Sequence, residues 1–222
     1  MTAGTAWRRA GPGAGYLAIL AITGLVWRAR GAAPFGSDAS LVQLAAALLF
    51  ALAGAAAYRL PSLPFPARAL LATAGAWLAV DEWLMVHECL KFGLVARFAE
   101  GRWRELPVLG YAVAGAVAAA LVARRVKPPR EALVHGAVAA LAVSCVLLID
   151  VAGAVRGPAA EALEETAELL AAWATLQCCA AAARAAPSAP WREATAVAAW
   201  SAAWLGLVVW LLKPLFCAAR FL

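Results

Sequence analysis

The sequence has few charged residues. Only 14% of its 222 residues are Asp, Glu, Lys or Arg, whereas 65% are hydrophobic and the mean hydropathy is +0.79. A soluble domain has about a quarter charged and about half apolar residues, so this composition excludes that class. The composition predicts a multi-pass integral membrane protein surrounded by the lipid bilayer, with the inner (plasma) membrane of the cell as its expected location.

The sequence also lacks the patterns of a nucleic-acid-binding surface and of a cysteine-based zinc or redox site. The net charge is +6, but the Arg and Lys residues lie between apolar runs and form no basic face with interleaved aromatic residues, so nucleic acid is not an expected partner. The five cysteines include no C-x-x-C pair, which excludes the usual zinc-ribbon and thiol-redox spacings. Most of these cysteines are expected to be small side chains of the core.

Long apolar segments, separated by proline, glycine and basic residues, make up most of the chain. A helix that spans a bilayer needs about 20 apolar residues, and consecutive prolines prevent a helix from continuing. Seven helices are predicted, at residues 15–27, 40–58, 67–98, 107–122, 132–155, 159–183 and 192–212. The predicted fold is all-α, a polytopic transmembrane bundle of about seven helices that forms one domain over residues 1–222.

The basic residues of the loops divide almost evenly between the two sides of this bundle. The densest cluster, between residues 124 and 130, favours a cytoplasmic position for its loop and therefore for the N-terminus.

The stretch with the most polar side chains inside an apolar segment is 81–91, which reads Asp-Glu-Trp-Leu-Met-Val-His-Glu-Cys-Leu-Lys. An ionisable residue near the middle of a bilayer costs at least about 2.5 to 3.5 kcal/mol. Five such residues lie in this stretch, so partners, water or a bound cation must compensate them. We therefore take this stretch as the first candidate for a functional site.

Helix directions place further acids at the same depth. Asp150 lies late in the fifth predicted helix, and the sixth helix runs back from that side with its acids in the first half. These acids of the sixth helix are Glu161, Glu164, Glu165 and Glu168. All are expected in the half of the bilayer opposite the N-terminus. His135 begins the fifth predicted helix, so it is expected at the other interface rather than beside His87.

The helical period refines this picture within the third predicted helix. At 100° per residue, Asp81 and Glu88 are expected to lie one above the other, with His87 and Lys91 on the flank and Glu82 pointing elsewhere. On the sixth helix the glutamates share one face, so each helix can present carboxylates to the other.

Carboxylates this close cannot all be ionised in a low dielectric, so they must share protons, pair with a cationic side chain, reach water or hold a cation. Carboxylate oxygens with one imidazole suit Mn, Fe or Zn as a divalent metal ion. The predicted metal ligands around a polar cavity are Asp81, His87, Glu88, Asp150, Glu161, Glu165 and Glu168. His87 and Glu88 are also the candidate catalytic residues, as general acid and base.

A structural explanation stays open for part of this set. Glu161 and Glu164 can form the acidic first turn of a helix, where the helix dipole favours them, and Asp150 can be a solvated helix end.

Three functions fit this pattern. The first is a metal-dependent membrane enzyme that acts on a lipid-soluble substrate. The second is a cation or proton transporter in which the same acids form a relay. The third is a structural or accessory subunit whose polar cluster fixes the register of the helices.

The motif Asp81-Glu82-x4-His87-Glu88, followed by Glu164-Glu165-x2-Glu168, resembles a group of uncharacterised bacterial multi-pass membrane proteins with a DExxxxHE helix and a later EExxE helix. The resemblance covers the third to sixth predicted helices and brings no established activity. Seven helices around a buried metal would also resemble the zinc-dependent ceramidase and adiponectin-receptor group. This sequence departs from that group, because the late H-x-x-x-H is missing and there are only two histidines.

Overall fold

The computed structural model describes residues 3–30, 41–61, 63–95, 98, 101–151, 157–184 and 189–217. Within these ranges the regular structure is helical without strands, which confirms the all-α prediction. The helices are α1 (Ala3–Arg30), α2 (Leu41–Tyr58), α3 (Phe65–Leu84), α4 (Val86–Cys89), α5 (Leu106–Val126), α6 (Arg130–Asp150), α7 (Pro158–Arg184) and α8 (Trp191–Cys217). A π-helical turn, Leu90–Leu94, follows α4, and a 3-10 helix, Gly101–Glu105, precedes α5.

The protein is an integral membrane protein with several apolar helices. In the described ranges, α1, α2, α5, α6 and α8 are each long and apolar enough to cross a membrane. The bent pair formed by α3 and Val86–Phe92 passes the same test together, which makes six if the pair is one broken span. All seven predicted helices have counterparts. However, α7, which has 27 residues, is not among the helices that are long and apolar enough to cross a membrane, and its first half contains four glutamates.

The third predicted helix, 67–98, is not continuous. Helix α3 ends at Leu84, Met85 takes the left-handed conformation with φ 52° and ψ 47°, and α4 leaves at an angle of 66°. The prediction of one uninterrupted helix was therefore wrong. A left-handed residue with a side chain costs about 1 to 2 kcal/mol, so contacts around Met85 must stabilise the break.

Small side chains allow the helices to pack closely around α2 and α7. Helix α2 contacts α3, α7 and α8, while α7 contacts α6 and α1. The buried residues of α2 and α7 are mostly alanines. Gly54 of α2 faces Gly75 of α3 so closely that a Cβ added to Gly75 would lie 2.5 Å from the Cα of Gly54. Such small residues are common where helices associate in lipid, because packing rather than the hydrophobic effect holds them together there.

We expect Gly75→Ala to lower the free energy of unfolding by about 1 to 3 kcal/mol, because the added methyl group forces α2 and α3 apart. Gly115→Ala in α5 is the matched control, since a Cβ there meets nothing within 4 Å. Thermal unfolding of the purified variants in one detergent measures the difference. Equal midpoints for the two variants would contradict the close contact of α2 and α3.

Candidate functional site

The break at Met85 turns His87 back towards Asp81. The backbone N–H of His87 donates a hydrogen bond of 2.8 Å to Oδ1 of Asp81, and Nδ1 of the imidazole lies 2.9 Å from Oδ2. Residues six apart do not face each other on a continuous helix. Asp81 therefore accepts from a backbone N–H at the start of α4 and orients the His87 ring. The expected stacking of Asp81 and Glu88, which assumed a continuous helix, is replaced by this contact.

Asp81 is 3% exposed, and it lies between the helix break and α5. The hydroxyl group of Tyr111, in the first half of α5, donates to Oδ1 of Asp81 at 3.5 Å. On the other side of the imidazole, Nε2 of His87 lies 3.8 Å from Oε1 of Glu88. His87 is thus held between two carboxylates.

Lys91, in the π-helical turn, has carboxylates from three segments around it. Its Nζ lies 2.7 Å from Oε2 of Glu105, 3.4 Å from Oε1 of Glu88 and 3.7 Å from Oδ1 of Asp150. Glu105 directly precedes α5, and Asp150 ends α6. The four side chains are between 10% and 15% exposed, so one buried ammonium group compensates three largely buried acids.

The glutamates of α7 approach this group from the other side. Glu164 lies close enough to Asp150 to interact with it electrostatically. Glu165 accepts a hydrogen bond of 3.2 Å from Nε2 of Gln43, and the same amide lies 2.9 Å from Sδ of Met85. Gln43 of α2 therefore joins the helix break to α7.

Glu82 and Glu168 complete the cluster. Glu82 is 8% exposed, although the sequence suggested that it points away from the other acids. Because α4 turns at Met85, Glu82 lies close enough to His87 and Glu165 to interact electrostatically, and Glu168 lies similarly close to Glu82.

We define the acid network as the carboxyl groups at this end of the bundle that are buried or half-buried. Its eight members are Asp81, Glu82, Glu88, Glu105, Asp150, Glu164, Glu165 and Glu168. Lys91 and His87 are the basic side chains that contact it in the described part of the chain. The acids thus exceed the bases by six even when His87 is charged. An isolated carboxylate away from water takes up a proton rather than remain ionised, so the acid network must hold protons, reach water through its half-buried members or admit cations.

Six of the seven residues predicted as metal ligands belong to this cluster, and the seventh does not. Glu161 is exposed, one helical turn before Glu165, so its side chain reaches the solvent or headgroup layer instead. Sequence reasoning missed Glu82, Glu105 and Gln43. For the last two a signal was present: Gln43 lies near the start of α2 and Glu105 directly precedes α5, and both helices begin on the side of the acids.

The donors are not arranged as a metal centre. Among the residues that the structure describes, no group of three or more His, Cys, Asp and Glu side chains could hold a metal ion. Asp81 contacts His87, while Glu88 and Asp150 contact Lys91. A site for Mn, Fe or Zn therefore stays a prediction from the sequence.

A second polar contact lies at the opposite end of the bundle. Nδ1 of His135 is 2.9 Å from the hydroxyl group of Tyr16, and their rings are stacked. His135 is 8% exposed and lies near the start of α6, so it is buried against neighbouring helices at that end of the bundle. Along α6, at 1.5 Å per residue, about 22 Å separates it from Asp150, so the two histidines belong to different regions as expected.

The cysteines differ in their covalent state. Cys89 of α4 is disulfide-bonded, whereas Cys145, Cys178 and Cys179 carry free thiols. Cys145 is exposed, so it is not one of the core side chains that the sequence suggested.

Comparison of the chain with protein-family models, curated proteins and solved structures found no match. The resemblance to proteins with a DExxxxHE helix and an EExxE helix therefore stays a prediction.

We expect Lys91→Met to lower the free energy of unfolding by about 3 to 5 kcal/mol, because it leaves buried carboxylates without their counter-ion. Adding Glu105→Gln to this variant removes one of the uncompensated charges and should restore part of the loss. Denaturant-induced unfolding in one detergent at neutral pH measures both changes.

Lys127→Met is the control for this series, since Lys127 is exposed at the end of α5. Its effect should stay within about 0.5 kcal/mol. A Lys91→Met variant as stable as Lys127→Met would mean that the ammonium group does not neutralise the acids.

Proposed function

We propose that the protein is a proton carrier in which the acid network takes up and releases protons. The observation that carries this proposal is the excess of carboxyl groups over basic side chains at one end of the bundle. Closely spaced carboxyl groups share protons and release them in coupled steps. Intramembrane chains of Asp, Glu and His are the usual relays of proton pumps and transporters.

The broken span supports this proposal. Helices interrupted within the membrane are common at the binding sites of transporters, where non-helical backbone and helix ends contact the bound ion or substrate. Here the interruption at Met85 lies between Asp81 and His87, so the helix break and the acid network occupy the same place. A change of conformation at Met85 would alter the distance from Asp81 to His87 directly.

Two observations support an orientation in which the acid network faces the outside of the cell. Cys89, next to Glu88, is disulfide-bonded, and disulfides form and persist mainly in oxidising compartments. The basic cluster between residues 124 and 130 lies at the opposite end of α5, and such clusters prefer the cytoplasm. Protons would then enter the acid network from the outer side.

Proton movement into liposomes tests the proposal. Protein reconstituted in vesicles with an internal pH-sensitive dye should carry protons down an imposed gradient faster than protein-free vesicles. Glu165→Gln keeps the size of the side chain and can still pair with Gln43, but it cannot titrate, so the flux should fall by roughly tenfold or more if this acid relays protons.

Glu131→Gln is the control for the flux measurement. Glu131 forms an exposed ion pair with Arg184 at the other end of the bundle, and such pairs contribute little to stability. Its flux should equal that of the unmodified protein. If the unmodified protein gives no more flux than protein-free vesicles, the acid network is not a proton carrier and a structural role for it is favoured.

One contact favours a second function, a membrane enzyme that uses His87 as general base. The carboxylate of Asp81 orients the imidazole through Nδ1, which leaves Nε2 available to a substrate beside Glu88. A base held by a third group is the usual arrangement for activating a nucleophile. The substrate would be lipid-soluble, because the site lies among membrane helices.

Lipid analysis of cells distinguishes this second function. Cells that produce the unmodified protein should accumulate a lipid product that is missing from cells producing His87→Gln at the same level. Metal analysis of the purified protein would show whether this reaction uses the predicted divalent ion. Identical lipid profiles in the two strains would rule the enzyme out.

A further inference from the structure

A cavity of about 220 Å³ lies between the broken span and α8, on the far side of α4 from the acid network. Its wall on the broken span includes Val86, Cys89 and Leu90. Its wall on α8 includes Val208, Leu212 and Lys213. We call this cavity the α4–α8 groove. Val208 is 45% and Leu212 is 40% exposed, so the groove opens towards the surroundings of the bundle rather than into its core.

The lining of the α4–α8 groove is entirely apolar, and Lys213 contributes only the hydrocarbon part of its side chain to it. In a membrane, such a groove cannot stay empty without losing contacts to its lining, and water gains too few polar partners there. A lipid chain from the surrounding bilayer is therefore its natural occupant. The lining does not by itself choose between lipids, because every phospholipid carries such chains.

Lys213 supplies the selectivity for a lipid headgroup. It lies near the end of α8, on the same side of the bundle as the acid network and so close to the headgroup layer. None of the ion pairs in the described ranges involves Lys213, whereas Lys91 is surrounded by acids. An ammonium group beside an apolar groove matches a lipid with an anionic headgroup, since the phosphate can form a charge-assisted hydrogen bond with it.

We propose that the α4–α8 groove binds one anionic phospholipid, with an acyl chain between α4 and α8 and the headgroup phosphate at Nζ of Lys213. Val86, Cys89 and Leu90 face this lipid, while His87 and Lys91 of the same short segment face the acid network. A bound lipid therefore supports the segment that follows the break at Met85. This inference concerns a ligand that the proton carrier does not require, so it can fail without affecting that proposal.

Lipid retention tests the site. The protein is purified in nanodiscs that contain equal amounts of phosphatidylglycerol and phosphatidylcholine with the same acyl chains. It is then released into the gas phase, and native mass spectrometry counts the lipids that are still bound. We expect one retained phosphatidylglycerol, with at least a tenfold preference over phosphatidylcholine. Lys213→Gln should remove the preference, and Lys213→Arg should keep it.

A second pair of variants tests the position of the chain. Val208→Trp should fill the groove and abolish retention of the lipid. Leu207→Trp is the matched control, because Leu207 is the neighbouring residue on α8 with a similar exposure of 47%, but it does not line the groove. Leu207→Trp should retain the lipid as the unmodified protein does. Both variants are placed on the exposed side of α8, so neither should prevent folding, and their unfolding midpoints are measured to check this.

Four results would overturn the proposal. Equal retention of the two lipids, or a preference that survives Lys213→Gln, would mean that Lys213 does not bind the headgroup. Retention that is the same in Val208→Trp and Leu207→Trp would place the lipid elsewhere, as ordinary annular lipid. Displacement of the bound lipid by glycerol phosphate, which has no acyl chains, would mean that the ammonium group binds a phosphate and that the groove does not contribute.

Discussion

The ammonium group of Lys91 lies among carboxylates that reach it from three segments of the chain, its own helix, the start of α5 and the end of α6. In a low dielectric, an acid without a partner costs several kcal/mol, so these segments cannot separate without exposing charge to lipid. This matters most for α5, because α5 buries none of its own side chains. At this end, Glu105 beside Lys91 and Tyr111 beside Asp81 hold α5 in position, whereas at its other end Val122 and Val126 pack against a buried apolar cluster.

Much of the fold could be predicted because the helices are limited by local signals. Helices α2 and α7 were expected at 40–58 and 159–183, and they begin and end within one residue of those limits. Prolines follow α2, and Gly157 precedes Pro158 at the start of α7, so the chain itself determines these ends. The break at Met85 has no such signal. Methionine is a good helix former, so the residue itself does not indicate a break. The break is stabilised by Gln43, which is distant in the sequence, and by Asp81, which lies on the other side of the turn.

The sequence predicted the end of the bundle at which the candidate site lies, but not which residues form it. Alternating helix directions placed Asp150 and the glutamates of α7 beside residues 81–91, and the structure brings most of them together. The angular prediction failed for Glu82 and His87, because it depended on a continuous helix. Gln43 was overlooked for another reason: it is uncharged, and a search for ionisable residues ignores amides even where they hydrogen-bond a buried carboxyl group.

The two ends of α6 show why a carrier of this construction would need more than one conformation. Between His135 and Asp150 the buried residues of α6 are Ala142 and Val146, which can neither donate nor accept a proton. Along the roughly 22 Å of α6 between these two residues, the buried face of the helix has no side chain that could pass on a proton. In such a carrier, protons held by the acid network would exchange most directly with the side on which α6 ends. Release to the other side would require a rearrangement. The segment around Met85 is suited to it, because its left-handed backbone is already unfavourable and contacts from neighbouring segments maintain it.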